Sequence, residues 1–259
     1  MISGAAIQVL WQRDLKRFFR QRSRVMGALA QPVIFWLVIG SGLNRSFVLN
    51  AEGAPDYRTY FFPGVIVMVV LFTSIFSTMS IIEDRHAGFL QAVLVAPASR
   101  ISIVLGKVLG GATVAMVQVG LFLLLAPLAG YSWLSIDWPF LAAILLLSAI
   151  GLTSLGFFLA WFLDSTQGYH AVMSVALIPM WVLSGAMFPV QGDSRVLTAL
   201  MIANPMTYAV EGVHRALSGG VVPQGVGVEG SSALLDFAVV TAFAVAALGA
   251  ATWACKRRA

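Results

Sequence analysis

Residues 60–82 form a run of 23 positions without one charged side chain. A helix of that length crosses the hydrocarbon layer of a bilayer, where every backbone polar group must find its partner within its own segment. Comparable apolar runs cover 26–43, 108–128, 140–163, 170–190 and 237–255. The expected fold class is therefore all-α: a polytopic membrane protein with six transmembrane helices, forming a single transmembrane domain over residues 1–259. Only 10% of the residues are charged, against about a quarter in soluble domains, so a bilayer is the medium this chain suits.

Ahead of the first run, residues 5–24 carry an amphipathic pattern. At about 100° per residue, Ile7, Trp11, Leu15 and Phe18 share one stripe. Arg13, Lys16, Arg17, Arg20 and Arg24 fall opposite, and Arg22 alone sits on the wrong side. The pattern predicts a helix lying in the membrane interface with its arginines toward anionic headgroups; a plain positive anchor for the first span is the simpler alternative. The basic start and the lack of a small-residue cleavage site predict no cleavable signal. Gln31-Pro32 in the first span frees a backbone carbonyl and predicts a kink.

Between the second and third runs the chain reads EDRHAGFLQAVLVAPASRISIVLGK, residues 83–107. Phe89, Leu90, Ala92, Val93, Leu94 and Val95 are too apolar for a free loop, so a short helix lying against something is expected. Glu83, Asp84 and Arg85 close the preceding helix, Gly88 supplies a break, and Pro97 ends the new segment because it cannot continue a helix. Within the second span Thr73, Ser77 and Ser80 share a face; such hydroxyls serve helix packing or line a substrate path. Gly106 and Gly110 form a small-xxx-small pair where the third span starts.

Further along, Trp133 and Trp138 flank a short loop, and residues 164–169 make a tight turn. His170, alone among apolar neighbours, reads as a hydrogen-bonded structural group rather than a ligand. Residues 195–203 are too short to span. Asn204-Pro205 then gives an N-cap followed by proline at the first helical position, so a second short helix is expected to run toward Leu217. The pair reads as an outer lid dipping into the outer leaflet, with Asn204, Pro205 and Tyr208 at its turn. The Gly-rich stretch 219–230 is expected to be an exposed connection.

Six spans place both termini on one side. Twelve of the sixteen Lys and Arg belong to that side and Arg45, Arg58, Arg195 and Arg215 to the other, which predicts cytoplasmic termini and a cytoplasmic 83–107 segment. Clustering at span ends points to topology and lipid contact, not nucleic acid. A single cysteine, Cys255, rules out a disulfide or thiolate metal cage within the chain. Gly106-Lys107 lacks the upstream Gly and following Ser or Thr of a phosphate loop, so ATP hydrolysis by this chain is not expected. Neither HExxH nor GxSxG occurs, and no paired carboxylates stand at a span mouth, so no catalytic residue and no metal site is expected. No span core carries Asp, Glu, Lys or Arg, with Lys107 at the mouth of the third span, which counts against an ion-driven carrier.

Over nearly its whole length the chain resembles the membrane subunit of type 2 ABC exporters, the permease class that includes antibiotic-resistance, nodulation-factor and cell-surface polysaccharide exporters. The likeness is carried by the basic N-terminal helix, by YFFPGVIVMVVLF in the second span and by EDRHAGFLQAVLVAPASR leading to LGK. LSGAMFPV ending the fifth span and NPMTYAVEGVHRAL after it complete the pattern. Phe89 and Gln91 stand where relatives often have Thr and Glu, and Gly192-Asp193 where many have Leu-Pro.

The resemblance implies that residues 88–97 are a cytoplasmic coupling helix seated in a groove of a separate ATPase. Gly88, Phe89, Leu90, Val93, Leu94 and Pro97 belong to that helix, and Glu83 and Arg85 stand at its entrance. The same ATPase would meet the interfacial helix through Arg13, Arg17 and Arg20. Two permease chains, as a homodimer, would work with two ATPase chains that carry ATP and Mg, leaving this chain without a cofactor of its own. The path at the dimer interface would present Thr73, Ser77, Met180, Trp181 and Ser184. The implied protein is a transport subunit in the bacterial inner membrane, moving a hydrophobic, amphipathic or lipid-linked compound outward by alternating access. A polysaccharide or lipid-linked glycan exporter, an ion-coupled secondary transporter and a scaffold without transport are the alternatives.

Overall fold

Eleven helices follow one another, with no strand among the described residues. The computed structural model describes residues 3–20, 22–42, 56–95, 99–188, 195–220, 222, 227, 228 and 230–257. Pro97 and the pair Gly192-Asp193 lie outside the described residues, as does the side chain of Leu94. In chain order the helices are α1 (Gly4–Arg20), α2 (Arg22–Gly42), α3 (Tyr57–Ser77), α4 (Met79–His86), α5 (Phe89–Val95) and α6 (Arg100–Leu123). There follow α7 (Trp138–Phe162), α8 (Thr166–Trp181), α9 (Arg195–Ala203), α10 (Pro205–Leu217) and α11 (Ala233–Arg257).

Five stretches are long and apolar enough to cross a membrane: Tyr57–His86, Arg100–Leu123, Trp138–Phe162, Thr166–Ala186 and Ala233–Arg257. A sixth is reached if α9 and α10, bent by 78° where they meet, count as one broken span. The first of the six runs in the sequence lies within α2, which begins at Arg22, ahead of the expected span. The third run also starts earlier than hydropathy suggests. The Ser99 hydroxyl accepts from the Ser102 amide at 3.2 Å and caps α6 at Arg100. Lys107 therefore sits inside a helix and is buried, not at its mouth.

The core is built on α3. Tyr57 and every residue from Tyr60 to Leu71 are buried, the pattern of a helix apolar on all faces and enclosed on all sides. In lipid the hydrophobic effect does not hold helices together; close van der Waals fit and a few hydrogen bonds do. Gly64 shows this fit, since a Cβ there would stand 2.6 Å from the Ala186 carbonyl oxygen. The contact exists because α8, carrying Pro179, runs into a π-helical turn over Val182–Ala186 in which Gly185 takes φ 79°, a left-handed conformation that only glycine adopts freely. Freed carbonyls of that turn are used: Tyr60 donates to Gly185 O at 2.8 Å and Tyr57 to Met187 O at 3.2 Å. In return the Trp181 indole donates to Gly64 O at 2.8 Å.

Asn204 caps α10, accepting from the Met206 amide at 3.0 Å and donating to Met180 O at 2.6 Å, with Pro205 at the first helical position. Arg215 of α10 bridges Glu211 at 3.0 Å and Asp236 at 3.2 Å, which fixes the start of α11. α8 and α11 turn large apolar side chains outward, among them Val175, Ile178, Val245 and Trp253, the surface expected of helices in contact with lipid or another apolar chain.

The seam between α3 and the π-helical turn leads to a prediction. Gly64→Val is expected to lower unfolding stability in detergent by about 2 kcal/mol or more, because backbone must move to admit it. Gly120→Ala, where a Cβ would meet nothing within 4 Å, is the control and leaves it unchanged, as read by thermal unfolding.

Candidate functional site

The second membrane helix does not stop at its apolar end. After a one-residue break at Thr78 it continues as α4 to His86, and its last turn carries the three charges of the EDR sequence. The break has its own lock: Thr78 Oγ1 lies 2.7 Å from the Tyr169 hydroxyl, which donates to Ile75 O at 3.0 Å.

Asp84 is 2% exposed. Arg13 of α1 grips it with both guanidinium nitrogens, at 2.8 and 2.6 Å, and the Lys107 ammonium reaches it at 2.6 Å. Arg17 donates to Asp84 at 3.3 Å and pairs with Glu83. Lys107 also holds Asp14 at 3.0 Å. Three cations thus face three carboxylates, and the fork-to-fork geometry of Arg13 on Asp84 is the strongest arrangement available to such a pair. Burial pushes the Asp14 carboxyl above its usual range even with Lys107 beside it, while the hydrogen bonds to Asp84 hold Arg13 further above its ordinary value.

Gly106 and Gly110 make room for this cluster. Their missing side chains admit Leu10 and Asp14 of α1, and Trp11 Nε1 donates to Thr113 at 3.0 Å. α1 therefore lies along the first half of α6. Two of its arginines, Arg13 and Arg17, are engaged with carboxylates of the same chain while about a third of each side chain stays exposed; Lys16 and Arg20 are exposed.

Arg85 points the opposite way. It donates to Asp164 at 2.7 Å, to Trp161 O at 2.9 Å and to Leu163 O at 3.1 Å, closing the last carbonyls of α7. α4 is clamped between α1 and α6 on one side and α7 on the other. From this clamp the chain turns at Gly88, with φ 73°, into α5. Leu90 is buried, Phe89 and Val93 are half-buried, and Val95 is 87% exposed. The guanidinium carbon of Arg13 sits 3.7 Å from the centre of the Phe89 ring, so the cluster and α5 are joined directly.

A cavity of about 540 Å³ opens beside α3, walled also by α1, α2, α6 and α8. Thr73 and Ser77 line it, and His170 stands in its wall with its ring 4.8 Å from that of Phe76. Trp181 and Ser184 are buried elsewhere, the indole on Gly64 and the hydroxyl donating to Trp181 O at 2.6 Å; half-buried Met180 receives Asn204. Tyr208 is buried and Pro205 half-buried at the bend between α9 and α10. Sequence reasoning missed Asp14, Asp84 and Lys107 as a unit, and it missed Gln118. Opposite charges flanking the apolar runs, Asp14 and Asp84 against Lys107, were the available signal for the first; an amide alone in an apolar run was the signal for the second.

A multi-pass helical bundle with a short helix hung from the end of its longest apolar stretch has the form of a membrane transport subunit. Residues 5–217 match the family described as ABC-2 type transporter, and the chain belongs to that family. Its relatives include transport permease ycf38 of Porphyra purpurea, 29% identical over 80% of this chain and 72% of that one, and of Cyanophora paradoxa, 27% identical over 77% and 71%. Nodulation protein J of Neorhizobium galegae is 26% identical over 83% of this chain and 82% of its own.

The charge cluster makes its own prediction. Lys107→Met leaves buried carboxylates uncompensated and is expected to cost about 3 kcal/mol of stability. Asp84→Asn in that background restores the charge balance, so the double variant loses less than the sum of the two single variants. Unfolding of all three in detergent reads the coupling.

Proposed function

We propose that the chain is the permease half of an ATP-driven exporter, working as a homodimer with two copies of a separate ATPase that carries ATP and Mg. The observation that carries this reading is α5. It is an apolar helix on a glycine turn, latched by Arg13 to a buried charge cluster and turning Val95 away from the body. A groove on a partner would receive that face. Force applied there passes through α4 and the clamp into α3, the helix on which the core is built. Closure of the ATPase would bring the two α5 helices together, tilt the spans and open the far side.

The orientation follows the charge count: termini and α5 in the cytoplasm of a bacterium, the protein in the inner membrane, and the bend between α9 and α10 as the outer lid, held by Asn204 on Met180 O. The load is hydrophobic, amphipathic or lipid-linked. Apolar walls and scattered hydroxyls suit such a compound better than a glycan, which needs aromatic platforms and many polar groups. Among the described residues the buried charges are paired, Asp84 with Arg13 and Lys107 at the end of α4, and Glu211 and Asp236 with Arg215 where α10 meets α11, which argues for structural joints and against an ion-coupled carrier.

Val95→Asp tests the reading. The residue faces solvent in the isolated chain, so insertion and folding should be retained, but a carboxylate in an apolar groove is strongly disfavoured. Co-purification with the ATPase and substrate-stimulated hydrolysis in proteoliposomes are expected to fall at least about ten-fold, the effect of ~1.4 kcal/mol. Unchanged hydrolysis and transport would sink the docking role.

A further inference from the structure

Where α10 meets α11, two buried carboxylates share one arginine. Glu211 is 2% exposed and Asp236 is wholly buried. Arg215 holds the first at 3.0 Å and the second at 3.2 Å, and Asp236 Oδ1 is left without a hydrogen-bond partner. No Lys or Arg follows Arg215 before Lys256, so this part of the chain supplies no second cation. Glu211 also holds the backbone that leads into α11. It accepts from the Val228 amide at 2.9 Å, and Gly227, with φ 78°, lies so close to its carboxylate that no Cβ would fit. Ser231 presents its hydroxyl to Arg215 at 3.1 Å. The Gly-rich connection, expected from sequence to be exposed, is therefore strapped to α10 through buried Gly227 and half-buried Val228. The other titratable and charged groups on the elements packed around α10 have places of their own. Tyr208 stands near both carboxylates. His214 turns to the Tyr60 ring at 5.5 Å and makes no hydrogen bond. On α3 the Tyr57 and Tyr60 hydroxyls go to the π-helical turn, Asp137 caps α7, and Arg195 of α9 is exposed. Glu229 lies outside the described residues.

We infer that Glu211 and Asp236 together hold one proton, and that this proton fastens the 227–231 strap to α10. One guanidinium balances one carboxylate. A second buried negative charge there has no counter-charge, and two carboxylates around a single cation avoid that state by sharing a proton. The proton also supplies an O–H donor to a group of acceptors that includes the unpartnered Asp236 Oδ1. The direction of the pH effect follows from where the excess charge sits. It is buried only while the strap is seated; with the strap lifted, Glu211 meets water and binds a proton like any solvated carboxylate. Acid therefore favours the seated strap and alkali loosens it. On the orientation proposed above, the strap faces the outer compartment, and its seating answers to the acidity there. The site itself goes beyond the export reading; only the side it faces rests on it.

The test uses the purified full chain in nanodiscs between about pH 5 and pH 8. Infrared spectra read the carboxylic C=O band of a protonated buried acid. Hydrogen exchange of peptides covering residues 222–235, corrected for the intrinsic dependence of exchange on pH, reads the strap. In the wild type the carboxylic band is expected to grow as pH falls, and strap protection to rise with it by up to about ten-fold per pH unit, the limit for one proton. Glu211→Gln and Asp236→Asn each remove the excess charge and keep an acceptor oxygen. Both should lose the band and hold the strap protected at either end of the range, whereas a carboxylate with a merely structural role would lose protection on substitution. Asp236→Asn decides the matter where Glu211→Gln fails to fold. A band that is absent from the wild type or kept in both variants overturns the site, as does wild-type protection that is flat with pH. Protection that follows sodium or potassium at fixed pH, without the band, overturns the proton as the occupant. No readout involves ATP or a partner, so failure here leaves the export reading standing, and failure of ATP-driven transport leaves the proton site standing.

Discussion

Asp84 accepts hydrogen bonds from Arg13, Arg17 and Lys107 while almost wholly removed from solvent, and the positions of α1, α4, α5 and α6 all depend on that arrangement. Taking a carboxylate out of water costs several kcal/mol, and the cost is recovered only when each oxygen is met by well-placed donors. Here the donors come from two different helices. Apolar faces slide past one another with little penalty, but a bidentate pair does not, so the cluster sets the register of α1 on α6 and of both on α4. The worth of such a cluster lies in geometry more than in stability, and Arg13 extends that geometry to α5 through the Phe89 ring.

From Asp84 the connection to the core is short. α4 joins α3 through the single residue Thr78, whose hydroxyl shares the Tyr169 phenol with the last turn of α3. At its other end α3 is held by the π-helical turn that follows α8, with three hydrogen bonds crossing between Tyr57, Tyr60, Gly64 and that turn. α3 is therefore fixed at both ends and broken near one, at Thr78. Of the Tyr57–His86 window 67% is buried, against 39% for Thr166–Ala186.

How much of this is legible in the sequence depends on the range of the interaction involved. Helices were legible because 23 uncharged residues in a row have one backbone solution in lipid. The turn at Gly88 and the cap at Asn204 were legible because each is decided within a few residues. Helix ends were not. Arg100–Lys107 reads as a polar loop by composition, yet it continues α6, because Ser99 caps it and α1 covers the polar groups it would otherwise expose. The basic face of α1 was legible as basic, but its partners were not, since charge near a helix end looks alike whether it meets a headgroup, another protein or Asp84. That α8 runs into a π-helical turn seated on Gly64 was not legible, since it depends on a residue more than a hundred positions away.

The cavity and the charge cluster are neighbours along one face of α3. A smaller space of about 40 Å³, bounded by Asp14, Arg17, Ser77 and Ser80, shares Phe18, Ser77 and Val114 with the larger one. The larger space separates part of α3 from α2 and α6, and the charge cluster on α4 forms the adjoining wall. Two influences on one helix are thermodynamically coupled, and the coupling is reciprocal. A ligand with different affinity for two positions of α3 changes the work needed to move α5 by that same difference, and one with equal affinity changes nothing. The joint at Thr78 thus lies between the part of α3 that walls the larger space and the part of α4 that enters the charge cluster.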